Sequence, residues 1–374
     1  MTDFPITGFT APGFEPVQEE FEANFAEDTE LGAGFAVYLD GEQIIDLRGG
    51  FADRRKEQPW TETTVVPVYS TTKPIAALVL ASVIDALPAG YETPVADLWP
   101  EFAANGKDQV TLAQMVSHQA GLPGFTDAVD PALWLDPPAC AAALASIAPL
   151  WPLGSAHGYH PLTWGYLIGE VVRRIDGRSL GTILREDIAG PAGIDFQIGT
   201  PAADHDRVAE IMRPRQLPDL GEINEATKAA FLTKWAAPDR GGAIWREIEI
   251  PSANGIGTAS AVAALYGIYA HGGALNGKRV ISEPAFDALT ESRVKGQDLV
   301  LPYVTEFAAG VMRNNLGLYG PNPDTLCHSG WGGSLALGDP DRQMSAAYVM
   351  NRQSNSLQAD PRATRLVQAL YGCL

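Results

Sequence analysis

The sequence predicts an α/β protein of the α+β kind, an antiparallel sheet flanked by helices and carrying a mostly helical inserted domain. Two observations predict it. Strand-like alternation and tight-turn residues gather near both ends of the chain, and apolar residues at three- and four-residue spacing fill the middle. In order, the acidic stretch Glu19 to Glu30 reads as the solvated face of a first helix. Phe35 to Leu39 and Gln43 to Leu47 read as two strands joined at Asp40-Gly41, a pair that tolerates the positive φ of a hairpin turn. A helix opens at Ser70 and continues through Pro74 to Leu80. Helical spacing recurs at Leu112 to Ser117, Ala139 to Ile147, Trp164 to Arg174, Leu180 to Asp187 and Glu225 to Trp235, with Pro and Gly loops between. Strand signals return at Phe307 to Met312, Gly333 to Leu337 and Met344 to Met350, and a helix from Pro361 to Tyr371 closes the chain. The expected division is a sheet domain of residues 1–90 and 270–374 around a helical domain of residues 91–269.

The 374 residues suffice for a large core, and 46% hydrophobic with 19% charged is ordinary globular composition. A net charge of -19 argues against nucleic acid and against an anionic membrane surface as partners, because both would be repelled. Met1-Thr2-Asp3-Phe4-Pro5 lacks the basic and then apolar run of a secretory signal, and the longest apolar run, Ile75 to Ile84, is too short to span a bilayer. Cys140, Cys327 and Cys373 are too few and too scattered for a disulfide framework, and no zinc-like spacing occurs. The expectation is a reduced, cytoplasmic protein with no metal and no cofactor.

Ser70-Thr71-Thr72-Lys73 sets a serine one helical turn from a lysine, so that the hydroxyl and the amine share a helix face. A serine hydroxyl is a weak nucleophile until a base stands beside it, and a lysine becomes that base when desolvation disfavours its ammonium form. Tyr159 follows in the Gly-marked loop Leu153 to Pro161, and Cys327-His328-Ser329-Gly330-Trp331-Gly332-Gly333 precedes a strand of small residues. Glycines so dense beside a strand let a ligand or a second backbone come close.

In their order and spacing, these three motifs resemble the serine hydrolases related to class C β-lactamases and penicillin-binding proteins, and the family VIII carboxylesterases in particular. Val110-Thr111-Leu112 through Met115 to Pro123 and the loop Ile250 to Ala259 resemble further segments of that family. The resemblance implies a β-lactamase/transpeptidase-like fold. It also implies a nucleophilic Ser70, a proton relay of Lys73 and Tyr159, and an oxyanion hole formed by the backbone N–H groups of Ser70 and Trp331. Either Lys73 is held neutral or Tyr159 is held as phenolate; the residues alone leave both open.

Two departures bear on substrate. Penicillin-recognising relatives carry Tyr-x-Asn where this chain has Tyr159-His160-Pro161, and Lys-Thr-Gly where it has His328-Ser329-Gly330. Loss of an amide and of a cation points to a small-molecule ester rather than an amide antibiotic. A β-lactamase or D-amino-acid peptidase of the same fold is the alternative, followed by a non-catalytic scaffold. His328, Ser329, Gly330 and Trp331 are expected beside the substrate, with His328 tuning Tyr159, and Phe125, Trp134 and Trp164 are expected to line the pocket. His157 and His160 are read as shaping the entrance, and His118, His205 and His271 as structural. No G-x-S-x-G lipase elbow occurs, and Ser334, in the nearest approach to one, reads as a strand residue near the site.

Overall fold

The computed structural model describes residues 4–238 and 242–374. Nine strands form one antiparallel sheet: β1 (Ile6–Thr10), β2 (Gly32–Leu39), β3 (Glu42–Gly50), β4 (Val294–Gln297), β5 (Val304–Phe307), β6 (Met312–Arg313), β7 (Leu326–Ser329), β8 (Leu335–Asp339) and β9 (Met344–Met350). Across the sheet they run β1-β3-β2-β9-β8-β7-β6-β5-β4. The seam between β2 and β9 joins the two ends of the chain, with Tyr348 opposite Phe35 and Ala346 opposite Val37. The hairpin forms as expected: Val37 pairs with Ile45, and Asp40 and Gly41 take φ values of +52° and +82°.

Five helices among the described residues have twelve or more residues: α1 (Glu15–Ala26), α2 (Thr72–Val83), α3 (Thr163–Asp176), α4 (Ala259–Ala270) and α5 (Pro361–Gly372). Strand alternation sends Phe35, Val37, Met344, Ala346 and Tyr348 to one face, where Val17 and Phe21 of α1 and Leu366 and Leu370 of α5 close a core. Ala36, Ala347 and Val349 face the other way, into a second core that contains α4, α2 and the helical middle of the chain. A small sheet of Val66–Pro67, Gly255–Gly257 and Phe196–Ile198 ties that middle to the start of α2. Together these features make the mixed architecture that the sequence predicted, an antiparallel sheet with helices packed on both faces.

Three local expectations fail, each for a visible reason. Phe307 to Met312 is not one strand, because the chain reverses through Gly310, at φ +88°, and β6 folds back so that Met312 lies opposite Phe307. The strand expected from Gly333 begins only at Leu335, because Gly332 and Gly333 hold φ values of +90° and +125° in a turn. Glu30 is not on a solvated face: it is 1% exposed, and Arg362 at 2.9 Å and the Tyr348 hydroxyl satisfy its carboxylate. β1 carries no clear sequence signal and is added at the edge of β3. Among the described residues no helix is long and apolar enough to cross a membrane.

Candidate active site

Ser70 stands on the tight turn Tyr69–Thr71 that feeds α2, and Tyr69 before it adopts a left-handed φ of +50°. That conformation costs a non-glycine residue about 1–2 kcal/mol. One turn into the helix, Lys73 Nζ lies 3.1 Å from Ser70 Oγ. Lys73 is fully buried, and its amine donates to the carbonyls of Pro161 at 2.8 Å and Ser252 at 3.1 Å. It has no carboxylate partner among the described residues, so desolvation acts unopposed and holds its pKa well below the usual lysine value.

Tyr159 reaches this pair from the loop before α3. Lys73 Nζ sits 4.6 Å from the centroid of its ring. Burial raises the phenol well above its ordinary range, Ser70 pulls the other way, and the Asp298 charge adds a smaller rise. Ser70 is near enough to exert that pull, and Tyr159 Oη makes no hydrogen bond of ordinary geometry among the described residues. The backbone of Tyr159 is anchored by Asp298, whose Oδ1 accepts from the N–H groups of Tyr159, Val300 and Leu301 at 3.0, 2.8 and 2.9 Å. Thr305 donates to the other Asp298 oxygen at 3.2 Å and lies 2.8 Å from His157 Nε2.

The third wall is the end of β7 and the turn that follows it. His328 is 3% exposed, and its ring centroid is 5.9 Å from that of Tyr159. Burial, helped by the nearby Lys73, pushes its pKa down to about 3. Ser329 Oγ is 2.7 Å from the Tyr319 hydroxyl. Ser334 Oγ donates to the Val68 carbonyl at 2.7 Å and lies 3.0 Å from Thr71 Oγ1, which clamps the turn carrying Trp331 to the turn carrying Ser70. Gly330 is required there, since a Cβ would be driven into the Val68 carbonyl and Ser334 Oγ.

Ser70, Tyr159, His328, Ser329 and Trp331 line one cleft of about 680 Å³, its open mouth included, with Lys73 beneath it. Phe125, Trp134 and Trp164 do not line it. They are 3%, 1% and 0% exposed and belong to the helical core, where the Trp134 indole donates to the Trp235 carbonyl and that of Trp164 to Val116. Apolar lining comes instead from Tyr69, Phe231, Trp245, Leu301 and Met312. His157 and His160 are buried rather than placed at an entrance. His160 donates from Nδ1 to the Gly158 carbonyl and accepts at Nε2 from Leu122 N–H, and its pKa falls to about 3. His118 packs its ring 4.9 Å from that of Tyr159. Sequence reasoning missed Asp298, the carbonyls of Pro161 and Ser252, and the clamp made by Ser334. Backbone acceptors leave no side-chain signature, and Asp298 lies outside every motif that the sequence offers.

The family model described as Beta-lactamase matches residues 21–370. The chain is 33% identical over 363 residues to the esterase/beta-lactamase LipL of Mycobacterium tuberculosis, covering 93% of this chain and 83% of that one. A penicillin-binding protein homolog from Caulobacter crescentus superposes with a TM-score of 0.96 at 52% identity, over 99% of this chain and 100% of the other. The structure of a family VIII carboxylesterase superposes with a TM-score of 0.91 at 40% identity, again over 99% and 100%.

Proposed function

The chain belongs to the beta-lactamase family, and on that premise we propose that it is a serine carboxylesterase that cleaves short-chain carboxylic esters through an acyl-enzyme on Ser70. Lys73 carries the proposal. A neutral amine has two N–H groups, and two carbonyls take them, from Pro161 and Ser252. Its lone pair is left for the Ser70 hydroxyl at 3.1 Å, the arrangement a general base needs. Of the two relays the residues allowed, this supports the neutral one, because burial lowers Lys73 and raises Tyr159, and both shifts disfavour an ammonium–phenolate pair.

In this mechanism Ser70 Oγ attacks the ester carbonyl as its proton passes to Lys73. The oxyanion is held by the backbone N–H groups of Ser70 and Trp331, each worth about 3 kcal/mol to the transition state. Tyr159 protonates the departing alkoxide and is reprotonated from Lys73, and water then releases the acid. The ester preference is supported by the cleft lining, which among the described residues contains no Lys, Arg, Asp or Glu. Arg213 and Arg215 belong to an adjoining cleft that shares Tyr69, Phe231 and Trp331 with this one. The likeness to a family VIII carboxylesterase and to LipL points the same way, while LipL's double description keeps β-lactam hydrolysis as the second reading.

The test compares the protein with Ser70→Ala on 4-nitrophenyl acetate, butyrate and octanoate beside a chromogenic cephalosporin. Butyrate turnover that falls by at least a thousandfold in the variant, with slow cephalosporin cleavage, is expected. A variant that retains a tenth of the rate removes Ser70 from the mechanism, and dominant cephalosporin cleavage makes the protein a lactamase.

A further inference from the structure

Release of an acyl group from Ser70 needs a water held beside the acyl carbon, and buried waters are held by two to four polar partners. Two polar atoms on residues that line the cleft with Ser70 make no hydrogen bond of ordinary geometry among the described residues, Tyr159 Oη and His328 Nε2. A third, His118 Nε2, belongs to a ring that packs on Tyr159 but does not line the cleft. The protonation of His328 follows from its contacts. Its Nδ1 lies 2.6 Å from the Ser329 carbonyl, which can only accept, so Nδ1 carries the hydrogen and Nε2 presents a bare lone pair. An imidazole whose pKa is near 3 keeps that form at neutral pH.

His328 Nε2 is thus a buried, unpartnered acceptor on a residue of the cleft wall, and the substrate, a simple ester, has no hydrogen to donate to it. Water has two. We propose that His328 is a catalytic residue of the second half-reaction, holding the hydrolytic water through Nε2. This rests on the serine-esterase reading of the same site. The water gives one hydrogen bond to His328 Nε2 and its other proton to the Tyr159–Lys73 relay as its oxygen bonds to the acyl carbon. The bond from that carbon to Ser70 Oγ then breaks, Ser70 Oγ recovers the proton from the relay, and the product leaves as the carboxylic acid. His328 itself gains no proton, in keeping with its low basicity.

The experiment is steady-state and rapid-mixing kinetics of His328→Phe, His328→Ala and His328→Gln on 4-nitrophenyl butyrate, with intact-mass detection of the acyl-enzyme. If deacylation alone is slowed, kcat and KM fall together by tenfold or more in the Phe and Ala variants, while kcat/KM, which reports acylation, stays within about twofold. A burst near one 4-nitrophenol per enzyme and a butyryl adduct on Ser70 accompany that change. His328→Gln, whose amide oxygen restores an acceptor, recovers kcat and loses the adduct. A fall in kcat/KM equal to the fall in kcat, with no adduct, overturns the assignment, and the Ala variant carries the test should the Phe variant not fold. Turnover that survives Ser70→Ala instead overturns the reading on which the assignment rests.

Discussion

Gly330→Ala tests whether the turn bearing Trp331 must sit where it does relative to Ser70. Gly330 N–H donates to the Ser334 carbonyl at 2.7 Å, and a methyl at this position would press on Ser334 Oγ and the Val68 carbonyl, and on Thr71 Oγ1 at 3.1 Å. The serine side chain can rotate away, but the Val68 carbonyl is backbone two residues before Ser70 and cannot. Carbon–oxygen contact at ordinary distance therefore requires the two turns to separate by on the order of 1 Å. A misplacement of that size between groups that act together costs about 100-fold in rate, or roughly 2.7 kcal/mol of transition-state stabilisation. Overpacking lowers stability by a further 1–3 kcal/mol or so. The assay is kcat on 4-nitrophenyl butyrate beside a melting curve that shows the variant folded. The double variant Gly330→Ala/Ser334→Ala removes the hydroxyl contact and leaves the carbonyl one, so it stays slow. A folded Gly330→Ala enzyme with more than a third of the native kcat would refute the reasoning.

Asp298→Ala strands three buried N–H groups, at about 1–3 kcal/mol each, and frees the Tyr159 backbone. It should lose most activity and several degrees of melting temperature, whereas Asp298→Asn, which keeps one acceptor oxygen, loses less of both; equal loss in the two would sink the anchoring role. For Lys73, a lowered native pKa means that between it and the unfolded value of about 10.4 the unfolded chain binds one more proton. Stability conferred by this position therefore rises with pH across that window, by up to ~1.4 kcal/mol per unit, and Lys73→Met lacks the slope. Denaturant titrations from neutral to alkaline pH that show parallel curves for the two proteins would contradict a neutral native amine. Trp331→Ala keeps the backbone N–H and loses the ring that packs 5.8 Å from Phe231. It is expected to raise KM for the octanoate ester several-fold with kcat little changed, and a kcat loss beyond tenfold on acetate would count against that.

What could be read in the sequence were features encoded by side-chain identity at short range. The Asp40-Gly41 hairpin, the strand Met344 to Met350 and the closing helix all formed, because alternation, turn chemistry and apolar spacing are local. The geometry joining Ser70 to Lys73 was legible for the same reason, since helical spacing alone sets it. What escaped depends on contacts between distant segments. Phe125 and Trp134 were plausible as pocket residues on composition, yet the indole of Trp134 finds the Trp235 carbonyl and both rings go into the core. Glu30 looked like one more surface acid until Arg362, from the far end of the chain, covered it.

The two departures from the penicillin-recognising pattern meet in one physical consequence. Pro161 brings no amide side chain to the cleft, but its carbonyl takes one N–H of Lys73. His328 brings no cation, because the burial that lowers the Lys73 pKa also holds the imidazole neutral, and the nearby Lys73 adds to that effect. A protonated residue at 328 would oppose any ammonium form at Lys73 and would draw substrate carboxylates toward Ser70. A neutral one does neither, and it offers a lone pair instead. His328→Lys is therefore the substitution that separates the two designs. It should lower turnover of neutral esters, because its ammonium cannot accept a hydrogen bond from water, and improve relative turnover of an ester bearing a carboxylate near the scissile bond. If the variant handles neutral and anionic esters in the native ratio, the charge at position 328 does not set the substrate class.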